Sequence, residues 1–188
     1  MASSSSVFGS SVIPFRLVFI MWVVFFVDFS LPYLELNVFG IIPRSLFGLI
    51  GVFTAPMLHG SLAHLISNTV PLLFLGSVLF FFYGGIAESV FLRAYFWTNI
   101  LVWLFARQAN HIGASGLVYG LAFFLIFFGI FRRDFISIFI SIIVLLLYGG
   151  VFYGVLPTDS RVSWESHLGG ALVGISTAVT YSRQKRVS

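Results

Sequence analysis

The sequence predicts an all-α membrane protein, a bundle of six transmembrane helices, and three observations predict it. Of the 188 residues, 59% are hydrophobic and 9% charged, whereas soluble domains carry about 25% charged residues. The apolar residues fall into six runs, 15–34, 61–82, 87–106, 115–131, 135–156 and 167–182, each near the ~20 residues that a helix needs to cross a bilayer. All four histidines, His59, His64, His111 and His167, sit at or near the ends of those runs.

Residues 1–14 open with the low-complexity "MASSSSVFGSS" and are expected to be a disordered tail. The first span follows Arg16. It is too long for a signal-peptide core and lacks a small-residue cleavage site, so it reads as a retained helix. Tyr33 to Leu58 is unusually apolar for a connection and carries Pro43 and Pro56. Irregular backbone of that kind survives at membrane depth only where its polar groups are protected, so this loop is expected to be partly embedded. The second and third spans are joined tightly. The fourth opens with "GASG" and the sixth with "SHLGG"; between them lie the fifth span and a loop, 159–166. A single domain, 15–182, leaves a basic tail, 183–188, on the cytoplasmic side. No two spans share the interrupted-helix pattern of inverted-repeat transporters.

With the N-terminus inside, Arg16, Arg93, Arg132, Arg133, Arg183, Lys185 and Arg186 fall at inner ends and Arg44, Arg107 and Arg161 at outer ends. Positive charge concentrates inside, so both termini are expected in the cytoplasm and the histidines at the outer face. The net charge of +4 then reflects topology and attraction to anionic membrane lipid, and nothing points to nucleic acid. No arginine-rich transit peptide precedes the first span, which favours a prokaryotic plasma (inner) membrane. The absence of cysteine excludes thiol catalysis, disulfides and cysteine metal sites.

"HGSLAHLISN" (59–68) puts His64 and Asn68 four residues apart, on one helix face. Polar groups inside a membrane either carry function or hydrogen-bond to neighbouring helices, and this pair alone fits both readings. Gly116 and Gly120 form one GxxxG face, and Gly170 and Gly174 a second within the small stripe Ser166, Gly170, Gly174, Ala178. Two such faces predict that the fourth and sixth spans pack backbone to backbone. In matching register, Ser115 and His167 come to the same depth. A neutral imidazole beside a serine can take its proton and make it a nucleophile. Gly113 lets the backbone turn sharply, and the Ser115 amide, at a helix N-terminus, joins His64 and Asn68 as a candidate donor to developing negative charge. Neither the GxSxG of soluble hydrolases nor HExxH is present. Four imidazoles without a nearby intramembrane carboxylate make a poor hard-metal site, so no metal and no cofactor is expected.

"HGSLAHLISN", "GASGLVYG" and "SHLGGALVG", in that order and on the second, fourth and sixth spans, resemble the rhomboid intramembrane serine proteases over nearly the whole chain, from Phe15 to Tyr181. The resemblance implies a rhomboid-type six-helix bundle with a membrane-embedded first outer loop and a water-filled cavity open to the outside. It implies a hydrolase with a Ser-His dyad lacking a third acidic member. Ser115 is then the nucleophile, His167 the general base, His64 and Asn68 oxyanion donors, His59 a supporting residue and Tyr119 the aromatic packed on the catalytic imidazole. The expected partners are single-span membrane proteins, cut near the outer face. The fifth span and the loop from Pro157 to Trp164 resemble a mobile substrate gate. The family's Trp-Arg pair in the first outer loop is missing, with Arg44 as the only stand-in. The alternative is a catalytically silent rhomboid-like chaperone or adaptor that binds transmembrane helices without cutting them.

Overall fold

A computed structural model describes residues 7–159 and 162–183. Among them six long helices form an integral membrane bundle: α1 (Val7–Ser30), α2 (Leu62–Phe82), α3 (Gly84–Phe105), α4 (Ser115–Arg132), α5 (Phe135–Tyr148) and α6 (Trp164–Ser182). Three of them, α1, α2 and α4, are each long and apolar enough to cross a bilayer. Helices α3 and α6 have the length, with 22 and 19 residues, but are less apolar. Arg161, Lys185 and Arg186, used above in the charge count, lie outside the described residues.

The first helix starts at Val7, well before the expected start of its span, and passes through Pro14. Proline keeps a helical φ while removing one hydrogen bond, and here its ring packs where a Cβ on Gly76 would stand, 2.6 Å away. That close approach sets α1 against α2, and Trp22 Nε1 adds a bond to Thr69 Oγ1 (3.0 Å). The other half of the expected tail, residues 1–6, lies outside the described residues.

The fifth span also departs from expectation. Instead of running over 135–156, α5 stops at Tyr148, and a separate turn, Val151–Gly154, follows. Gly149 and Gly150 supply the break, because glycine has the largest backbone entropy to lose in a helix. At its other end α5 is capped by Asp134, which accepts from the Ser137 amide (3.1 Å) and from Arg132 Nε (2.9 Å). Its extensive packing is against α4 alone, while Phe135, Phe139 and Leu146 face outward.

Helix α4 is the centre of the bundle, with Leu121, Ala122, Phe124, Leu125 and Phe128 fully buried. Its most extensive contact is with α6. A Cβ on Gly170 would collide with the Gly116 carbonyl oxygen, and one on Gly174 would stand 2.9 Å from the Phe124 amide nitrogen. The two glycine faces meet as expected.

The connection from Leu31 to Leu58 is a chain of 3₁₀ turns with one short helix, Gly51–Thr54. Irregular backbone leaves carbonyls and amides unpaired, and α3 satisfies many of them with side chains. Asn99 donates to the Val52 carbonyl (3.0 Å), Tyr95 to that of Phe53 and Trp103 Nε1 to that of Ser45 (2.8 Å). Arg44, in a left-handed conformation (φ 57°), donates to the Leu104 and Ala106 carbonyls at 3.1 and 2.9 Å. It thus caps the end of α3, where a cation also suits the helix dipole, and anchors the loop in which the Trp-Arg pair is missing. Asp28, the acid in the first span, accepts from the Leu36 amide and from Asn37 Nδ2 at 2.7 and 2.8 Å. Outward, this loop shows apolar residues, among them Leu46 and Phe53.

Candidate active site

Ser115 is the first residue of α4. The turn before it depends on Gly113, whose φ of 107° lies in the left-handed half of conformational space that glycine tolerates best. The Gly113 amide is tied to the Ala55 carbonyl (2.8 Å). A Cβ there would stand 2.6 Å from the His64 ring and 3.6 Å from Asn68 Nδ2. Gly113 therefore brings the loop against both expected donors.

His167 lies in the first turn of α6 and is buried. Its Nδ1 is 2.9 Å from the Gly154 carbonyl oxygen. A carbonyl only accepts, so Nδ1 carries the hydrogen and Nε2 presents a lone pair. The ring stacks on Tyr119, centroids 4.0 Å apart and planes 5° from parallel. Tyr119 sits one turn beyond Ser115 on the same face of α4. Among the described residues no carboxylate bonds the imidazole; a backbone carbonyl orients it.

Ser115, His167, Tyr119, His64 and Asn68 all line one cavity of about 750 Å³. The fold thus brings together residues from α2, α4 and α6. Among the described residues the Ser115 hydroxyl has no hydrogen-bond partner, His167 included. Catalytic hydrogen bonds are often long before substrate binds.

Asn68 is buried, and its Nδ2 lies 3.2 Å from His59 Nε2 and 3.2 Å from the His64 carbonyl. Both of its amide protons are committed. The His64 ring meets that of His59 edge to face, centroids 4.9 Å apart, and makes no hydrogen bond of its own among the described residues. Among the described residues, no group of three or more histidines and acids is placed to hold a metal ion. Two features escaped the sequence reading. The Gly154 carbonyl was hidden because a backbone acceptor leaves no mark in side-chain chemistry. The polar ties around His111 were hidden because Ser163 gives no signal by itself.

His59 lies just before α2, and burial together with the nearby His64 holds its imidazole well below the usual 6.5, at about 4. The Met57 carbonyl lies close enough to oppose this slightly, without a formed bond to Nδ1. An unfolded chain takes up this proton below 6.5 while the folded one refuses it until about 4. The stability contributed by neutral His59 is therefore complete above 6.5 and is lost as pH falls to about 4, by roughly 3 kcal/mol in all. In detergent, the melting temperature should fall between about pH 7 and about pH 4.5, and His59→Gln should flatten that fall. An identical slope in the variant would place the proton uptake elsewhere.

The Rhomboid domain family matches residues 46–184 of this chain. A protein of Mycobacterium tuberculosis is 36% identical over 163 residues, covering 81% of this chain and 67% of that relative. A Mycobacterium bovis protein matches equally, and one of Mycobacterium leprae is 37% identical over 153 residues, covering 72% of this chain and 57% of its own length. All three are named only as uncharacterized proteins.

Proposed function

Because this chain belongs to the rhomboid family, whose members are generally intramembrane proteases, we propose that it is an intramembrane serine endopeptidase. The observation that carries this reading is the Gly154 carbonyl on His167 Nδ1, which leaves Nε2 unprotonated in the cavity that Ser115 also lines. Ser115 Oγ attacks a substrate carbonyl and passes its proton to His167 Nε2. The resulting oxyanion is held by the Ser115 amide, free at the start of its helix, and by His64. Asn68 joins them by giving up one of its two present bonds. Collapse breaks the C–N bond, and the proton on His167 goes to the leaving amine. Water then enters the acyl-enzyme by the same route in reverse, with His167 again the base. Stacking on Tyr119 keeps the imidazole in the plane that both transfers need.

The substrate is a single-span membrane protein. Its helix approaches through lipid beside α5, the helix whose only extensive packing among the described residues is against α4, and unwinds to expose a carbonyl that helical hydrogen bonds otherwise hide. Cleavage falls near the outer face, with both termini of the enzyme cytoplasmic, in a bacterial plasma membrane.

The test is labelling of the detergent-solubilised protein with a fluorophosphonate. Wild type should label, and Ser115→Ala and His167→Ala should not. A folded wild-type protein that fails to label would favour a silent scaffold that binds transmembrane helices, and labelling of His167→Ala at the wild-type rate would remove the dyad.

A further inference from the structure

We propose that His111 is a positioning residue that ties the loop ending at Ser115 to the segment leading into His167 and so sets the distance between them. The proposal rests on the Ser115–His167 reading. His111 is 3% exposed, and both ring nitrogens are engaged. Nε2 lies 3.0 Å from the Arg107 carbonyl, which only accepts, so in the neutral ring Nε2 donates and Nδ1 is left as an acceptor. Ser163 Oγ, 2.6 Å from Nδ1, must then be the donor. Having used its proton there, Ser163 accepts from Ser166 Oγ at 2.7 Å. One directed chain therefore runs from Ser166 through Ser163 and His111 to the Arg107 carbonyl, and no member can be reversed without leaving an acceptor facing an acceptor.

Two members of that chain lie close in sequence to the reactive groups. Ser166 is adjacent to His167, and His111 lies four residues before Ser115 in a segment already held by Gly113. The His111 backbone is itself fixed, pairing in both directions with Ile41 at 2.9 Å. A second tie links the same segments, Arg107 to Glu165 at 3.3 Å and to the Val162 carbonyl at 2.9 Å. The arginine side chain is 37% exposed, and exposed ion pairs contribute little. The chain through His111 is anchored on a buried ring and is the less exposed of the two ties.

Saturation kinetics of fluorophosphonate labelling test this on the full chain, well below its melting temperature. His111→Leu and Ser163→Ala should each lower the maximal labelling rate roughly tenfold or more, as small misplacements of reacting groups do, while the half-saturating probe concentration stays within about twofold. The double variant should be no slower than the slower single one, because both remove the same tie. His111→Asn, which keeps an acceptor oxygen near the Nδ1 position, should recover most of the rate. Wild-type rates in both single variants, or losses that multiply in the double, would overturn the proposal. Ser163→Ala removes one hydroxyl and keeps the test open if His111→Leu does not fold. If wild type itself is not labelled, the dyad reading falls and this proposal with it; labelled wild type with unaffected variants removes this proposal alone.

Discussion

Ser115→Ala is expected to lower the rate of peptide-bond cleavage by a factor of about 10⁴ or more, the scale seen when a serine nucleophile is deleted from a Ser-His mechanism. The same substitution should leave stability within about 0.5 kcal/mol of wild type. The reason lies in the resting geometry. The hydroxyl has no hydrogen-bond partner among the described residues, so deleting it orphans no buried group, and alanine is the better helix former. Ala114 precedes it as the helix cap position without a side-chain cap, so no cap is lost either. Loss of activity with an unchanged melting curve isolates chemistry from folding. Cleavage retained at the wild-type rate would eliminate the serine mechanism, whatever the fold.

Gly170→Ala is expected to have a large effect on stability, about 1–3 kcal/mol or more. A methyl group there meets backbone, the Gly116 carbonyl oxygen and, at 3.0 Å, the Gly120 amide nitrogen. Backbone has no rotamer in which to give way, so α6 must move off α4. Because His167 lies one turn before Gly170 on α6, the displacement also carries the imidazole away from Ser115, and activity should fall with stability. Gly85→Ala is the control: nothing lies within 4 Å of a Cβ there, and alanine suits a helix better than glycine. Thermal melting of the two variants in one detergent decides the matter. Equal melting temperatures would mean that α4 and α6 do not meet through these glycines.

Much of this protein was legible before folding. Hydropathy along the chain marked the helical runs because the membrane solvates residues one at a time, and the glycine spacings marked the α4–α6 contact because helical periodicity is local. The motif residues Ser115, His167, His64, Asn68 and Tyr119 could be named from their patterns. What they bond to could not. Asn68 turns both amide protons to His59 and to the His64 carbonyl, although its spacing equally suited a free donor. Arg44 found the end of α3 from within an irregular loop.

The sequence by itself determined which segments are apolar helices, which faces approach closely, and which side chains are the candidates for serine-hydrolase chemistry. Only the tertiary structure decided the break after Tyr148, the carbonyl of Gly154 on His167, and the chain through His111 that spans two loops. Hydropathy, spacing and side-chain chemistry are properties of near neighbours in the chain. Hydrogen-bond direction between distant segments depends on which donors and acceptors remain once every nearer group has found its partner.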